Sequence, residues 1–172
     1  EGTNTPMFSA SALRFEPEVI EVALEDVGRV TGATSYGPSP IEPTHPDLVF
    51  YGLHAAEALF TVMGPGCRRV SRVTTERASV VTGEWSDGSV GVLYAMHHWP
   101  APYKVVKMGD RSVISRDVPP HYAPLVREIV KFCQTGVPPV SAAHTLELFA
   151  FLEAADESKR RGGVAVTLEE MN

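Results

Sequence analysis

Ser86-Asp87-Gly88-Ser89 sits between two runs, 78 to 85 and 90 to 98, that are dense in β-branched and aromatic residues. A turn that short between two strands enforces an antiparallel hairpin. A further run at 70 to 75 precedes the pair, and 103 to 108 with 111 to 115 repeat the pattern about Gly109-Asp110. The frame is therefore a mostly antiparallel sheet. By period two, Val90, Val92, Tyr94 and Met96 share one face, and Gly91, Leu93, Ala95 and His97 share the other. The second face, small and apolar, is expected to be the open one, suited to lying flat against another sheet.

Helical patterns alternate with these strands. Residues 6 to 15 read as a strand or extended segment, and Glu16-Pro17-Glu18 starts a helix with Pro and acidic residues in its first turn. Val19, Ile20, Ala23 and Leu24 are expected as its buried side, with Gly28 as its end and 29 to 36 as the next strand. Pro38, Pro40, Pro43 and Pro46 forbid a central strand between 37 and 46, so that stretch is expected as a stiff rim over a pocket. Leu53, Ala56, Phe60 and Met63, joined by Leu59, predict a helix that Gly64 stops. Residues 122 to 133 form an amphipathic helix with Leu125, Val126, Ile129 and Phe132 inside. Ser141 caps the longest helix, packed through Leu148, Phe149, Leu152 and Ala155, and a short strand closes the chain at 164 to 168. Together these predict an α+β fold: one open, mostly antiparallel sheet with helices gathered on one face.

A net charge of −6 offers no basic surface for nucleic acid or an anionic membrane, and no apolar run is long enough to span a bilayer. Cys67 and Cys133 have no metal-ligand spacing and read as thiols of a reducing, cytoplasmic compartment rather than as a disulfide. His97 and His98 point to opposite faces of a strand, so no metal site is expected. No strand-G-x-G-x-x-G-helix unit occurs, so this chain alone is expected to hold no dinucleotide. The candidate for chemistry is His54, at the start of a helix otherwise built for burial. Glu57, one turn on, is placed to reach its imidazole, while the helix N-terminus disfavours imidazolium.

The segments "LRFEPEV", "GRVTGATSYGPSP", "HPDLVFYGLHAAEALFTVMG", "VVTGEWSDGSVG" and "PPVSAAHTLELFAFLEAADESKRRGG", in that order, cover nearly the whole chain. They resemble the C-terminal domain of the glucose-fructose oxidoreductase, inositol dehydrogenase and MocA family (Gfo/Idh/MocA). The resemblance implies an NAD- or NADP-dependent oxidoreductase of a sugar, cyclitol or related polyol. It makes 1 to 15 the exit strand of a preceding dinucleotide-binding domain, and 16 to 172 the C-terminal domain for substrate binding and homo-oligomerisation through the open sheet face. His54 matches the family's catalytic His. Arg14, Tyr36 and Glu57 are the candidate substrate contacts; Arg14 either faces the site or pairs with a surface carboxylate, and Tyr36 has packing as its alternative role. The chain departs from the family at Phe50, where many members carry Asp four residues before the His, and at His144, where an acid is expected in the capping box. The family's E-K-P lysine has no counterpart here. Two other readings are a non-catalytic sugar-binding module, with Phe50 marking lost chemistry, and a relative that uses its cofactor transiently in a non-redox reaction.

Overall fold

The computed structural model describes residues 5–171. Seven strands form one sheet: β1 Val30–Pro38, β2 Cys67–Thr74, β3 Ala78–Trp85, β4 Val90–Met96, β5 Lys104–Gly109, β6 Val113–Asp117 and β7 Val166–Thr167. Their order is β6-β5-β1-β4-β3-β2-β7, antiparallel throughout except for the central β1–β4 pair. The helices are α1 Pro17–Leu24, α2 Asp47–Phe50, α3 Gly52–Met63, α4 Ala123–Thr135 and α5 Ala142–Arg160. α1, α3 and α5 cover one face of the sheet, which leaves the other open. Among the described residues no helix is long and apolar enough to cross a membrane.

Strand alternation places the core. Leu93 and Ala95 are fully buried under the helices, as are Ala33, Val81 and Val105 on neighbouring strands. The open face is therefore the opposite of the one expected from its small residues: it carries Val90, Val92 and Tyr94, with Tyr36 beside Tyr94 at 5.9 Å between rings. The small residues have an internal purpose. A Cβ on Gly91 would stand 2.5 Å from the Trp85 ring, and one on Gly83, its partner across β3 and β4, 2.7 Å. These glycines form the slot that takes the Trp85 indole, whose Nε1 donates to Gly64 O at 2.9 Å. Phe60 and Phe151 pack against that indole and edge-on to each other at 5.3 Å, joining α3 and α5 to the sheet.

Several expectations are corrected. Residues 12 to 15 form a 3₁₀ turn capped by the Ser11 side chain, and 5 to 11 belong to no strand. α1 ends at Leu24, ahead of Gly28, and buries Val19 and Val22, while Ile20 and Leu24 are exposed because one short helix meets the sheet along a narrow line. In α5 it is Phe151 that enters the core, Phe149 being half-buried. α4 buries no residue: it stands off the sheet and leans on the N-terminal segment, with Phe8 edge-on to Phe132 at 5.1 Å. The side expected inside is not: Val126 and Ile129 are exposed and Leu125 and Phe132 only half-buried, because amphipathicity marks an apolar side without supplying a surface to cover it.

Candidate functional site

α2 and α3 are separated by Tyr51, whose backbone (φ −135°, ψ −29°) leaves the helical region and turns the chain. His54 thus lies in the first turn of a new helix, its N–H bonded to Tyr51 O at 3.1 Å. α3 is buried almost all round because Ala55, Ala56 and Ala58 let it settle against β1 and β4. Its N-terminal turn reaches a cavity of about 130 Å³ lined by Ser11, Leu13, Tyr51, His54, Trp99 and Tyr103, with His121 and Tyr122 closing it from the loop before α4. The proline-rich stretch expected as the rim does not line it.

His54 Nδ1 pairs with Ser11 Oγ at 2.9 Å, the residue lines the cavity, and its Nε2 has no hydrogen-bond partner among the described residues. Ser11 Oγ already accepts from Leu13 N at 3.1 Å, so the hydroxyl proton is free to point at Nδ1. A hydroxyl that donates to Nδ1 leaves the ring proton on Nε2. Burial holds the imidazole below its usual titration range, so it is neutral near pH 7. The aromatic walls are continuous, with Tyr51 packed edge-on to His54 at 5.2 Å and to Trp99 at 5.1 Å. A cavity of this kind, apolar in its walls with a few convergent polar groups, fits a small neutral ligand.

Glu57 does not touch the imidazole. Its carboxylate accepts from Arg14 Nε at 2.6 Å and from Ser11 N at 3.4 Å, so it braces the segment that carries the histidine's partner. Burial pushes the Glu57 carboxyl up, and the Arg14 guanidinium beside it pulls it back. Arg14 also meets His144 Nε2, so its head is spent on Glu57 and His144 behind the cavity wall. The guanidinium has only donors, so His144 accepts as a neutral ring; burial, with Arg14, holds it below the usual histidine range. This is the role His144 takes in place of an acid, while its backbone N–H still receives the Ser141 cap at 3.2 Å. Tyr36 lies on the open face of the sheet, away from this cluster. Of the four residues singled out from sequence, then, one lines the cavity, two stand behind it and one is remote.

Phe50 does not line the cavity; it stacks between His45 (5.0 Å) and Tyr51 (5.5 Å). Asp47 is committed to structure, since it pairs with the fully buried Arg72 at 3.1 Å and with Lys159. A larger depression beside His97 and His98 offers no free imidazole at His97, whose nitrogens face Ser79 Oγ (3.0 Å) and Glu76 O (3.3 Å). No cluster of three metal-ligating side chains occurs among the described residues. Helix N-termini here open from Glu16, Pro46, Tyr51, Tyr122 and Ser141 rather than from a glycine-rich turn. These residues do not fit the pyrophosphate of a dinucleotide.

No family model and no curated protein matches the sequence. Solved structures do match. GenD2 from gentamicin A biosynthesis, in complex with NAD, aligns with a TM-score of 0.74 at 18% identity, over 91% of this chain and 62% of that one. A putative myo-inositol dehydrogenase from Sinorhizobium meliloti aligns with 0.72 at 15% identity, over 91% and 64%. The myo-inositol dehydrogenase from Lactobacillus casei, in complex with NAD(H) and myo-inositol, aligns with 0.75 at 10% identity, over 96% and 63%. Identities this low establish a shared fold. The chain spans a little under two thirds of the length of these structures.

Proposed function

We propose that this chain, which has the fold of the C-terminal domain of Gfo/Idh/MocA-type dehydrogenases, is the substrate-side domain of a nicotinamide-dependent oxidoreductase acting on a sugar, cyclitol or related polyol. The observation that carries the reading is the His54 imidazole, which lines an aromatic-walled cavity with its Nδ1 held by Ser11 and its Nε2 without a partner among the described residues. The cavity offers a small neutral ligand flat apolar walls and hydroxyl and imidazole groups, which suits a ring bearing hydroxyls. A dinucleotide, when bound, supplies the hydride chemistry, and among the described residues no glycine-rich turn opens a helix to hold its phosphates.

The work of this chain's own residues is to bind the polyol, exclude water and manage the hydroxyl proton. His54 donates a hydrogen bond from Nε2 to the substrate oxygen, and Ser11 keeps that tautomer by occupying Nδ1. Arg14 and Glu57 act through Ser11 by holding its backbone in place. The reading implies the cytoplasmic dinucleotide pool as the compartment, and a homo-oligomer through the open sheet face.

The test is His54→Asn in the full-length protein, with a polyol already shown to turn over. General acid/base groups contribute ~10²- to 10⁴-fold, so kcat is expected to fall at least ~10²-fold while KM moves less. Retention of most of the kcat would make His54 a packing residue. A binding module without turnover is the second reading; it predicts myo-inositol binding to the full-length protein with no reduction of NAD or NADP.

A further inference from the structure

The proton handling described above leaves one side of the cavity unexplained. Glu16, between the 3₁₀ turn and α1, has a fully buried side chain, and one of its oxygens, Oε2, has no hydrogen-bond partner. An unsatisfied buried carboxylate oxygen is costly, and native structures keep few without a reason. Its other oxygen, Oε1, accepts from the backbone N–H of His121, which fixes the loop 118 to 122 against the start of α1. Oε2 stands 3.5 Å from Nδ1 of the same residue's ring, so a small rotation of the imidazole closes the bond. That ring is 63% exposed and lines the same cavity as His54. Glu18 also has an unpartnered oxygen; neither carboxylate lines the cavity itself, and what sets Glu16 apart is the cavity-lining His121 ring beside it.

We propose that Glu16 and His121 form a carboxylate–imidazole pair that serves as the second proton-exchanging group of this cavity, in the role that Phe50 leaves vacant. The proposal rests on the polyol-oxidoreductase reading. Glu16 is the positioning residue: it holds the Nδ1 proton of His121, so that Nε2 presents a lone pair to the substrate. Only a proton is transferred, the O–H electron pair staying on the substrate oxygen. The substrate O–H bond breaks as an N–H bond forms at Nε2; the resulting imidazolium faces the Glu16 carboxylate, and the exposed ring returns the proton to solvent. His54 and His121 are thus complementary, one donating a hydrogen bond from Nε2 and the other accepting at Nε2.

The experiment is long-range ¹⁵N–¹H NMR of the imidazoles in this chain, recorded above their titration range, where each tautomer has its own signature. His121 is expected as the Nδ1–H tautomer. In Glu16→Gln the single carbonyl oxygen is taken by the His121 backbone N–H, so the amide NH₂ faces Nδ1 and the proton is expected to move to Nε2. His54 should keep its own tautomer in that variant, and unchanged circular dichroism should show the fold intact. In the full-length protein His121→Asn should lower kcat by ~10²-fold with a smaller change in KM. An Nε2–H tautomer in the wild type, a tautomer unmoved by Glu16→Gln, or wild-type kcat in His121→Asn overturns the proposal. The tautomer is read without substrate, so a full-length protein that oxidises no polyol counts against the functional reading, and the Glu16–His121 pairing is decided by NMR.

Discussion

Removing water from an imidazole penalises its charged form, and His54 shows the consequence for stability as well as for chemistry. Its pKa in the fold lies below the usual 6.5, with burial as the cause. As pH falls below 6.5 the unfolded chain takes up a proton that the folded one refuses, so the contribution of His54 is whole above that pH and is lost as pH drops through the folded value. Glu57, raised by burial, runs the opposite way: its contribution is present below 4.5 and declines as pH rises through its folded value. Comparing wild type with His54→Asn isolates the histidine. Urea unfolding is expected to show the wild type losing more stability than the variant between neutral pH and about pH 5.5; parallel losses would mean that the imidazole is solvated. The place of His54 at a helix start is legible in the sequence because the apolar period and the Gly64 stop lie in one stretch. Its partner was not, since Ser11 is 43 residues away and nothing local marks a serine as the one that meets an imidazole. Trp99 and His121 were hidden for the same reason, as loop residues outside any periodic pattern. Glu16 was visible only as a helix start.

At the scale of elements, the β3–β4 hairpin is legible in the sequence because its turn chemistry and period-two alternation agree. Its orientation is the reverse of the one expected. Small residues at 91, 93 and 95 suggested a surface for another sheet, whereas Gly91 and Gly83 are small to admit the Trp85 indole from within. An added methyl at 91 would press on the face of a rigid ring clamped by Phe60, Phe151 and the Gly64 carbonyl. Gly91→Ala is therefore expected to cost about 1–3 kcal/mol in chemical denaturation, the range for overpacking a filled core. A neutral or stabilising result would show that the indole has room to retreat. α2 has its own constraint in the buried Arg72, whose guanidinium meets Asp47, Asp156 and Ser79 and so ties α2 and α5 to the sheet. The sequence gives no hint of this, because Arg72 looks like any other strand charge until its burial is known. The stripe of α4 illustrates the converse: periodicity identified an apolar side, but Val126, Ile129 and Val130 are exposed.

For the whole molecule, the seven-stranded sheet is covered by helices on one side only, which leaves its other face open among the described residues. Alternation gives that surface Thr34, Tyr36, Val80, Thr82, Val92, Tyr94 and Val106 near its middle, with the Arg69–Glu84 and Lys104–Asp117 ion pairs toward its flanks. An apolar centre with a charged rim is the anatomy of a protein interface, and single apolar patches beyond about 300–600 Å² are uncommon on monomers. Self-association through this face is expected to be two-fold, since a twisted sheet packs on a copy of itself by presenting the same patch twice. Val92 is the residue to test, because β4 is the central strand and its side chain makes no hydrogen bond or core contact that a substitution would disturb. Val92→Lys would set like charges against each other across such an axis and leave them without a partner. Multi-angle light scattering should show an assembly of at least two chains for the wild type and a single chain for Val92→Lys, with the same circular dichroism spectrum. A wild type that stays monomeric at high concentration, or a Val92→Lys variant that still associates, would move the interface away from the sheet.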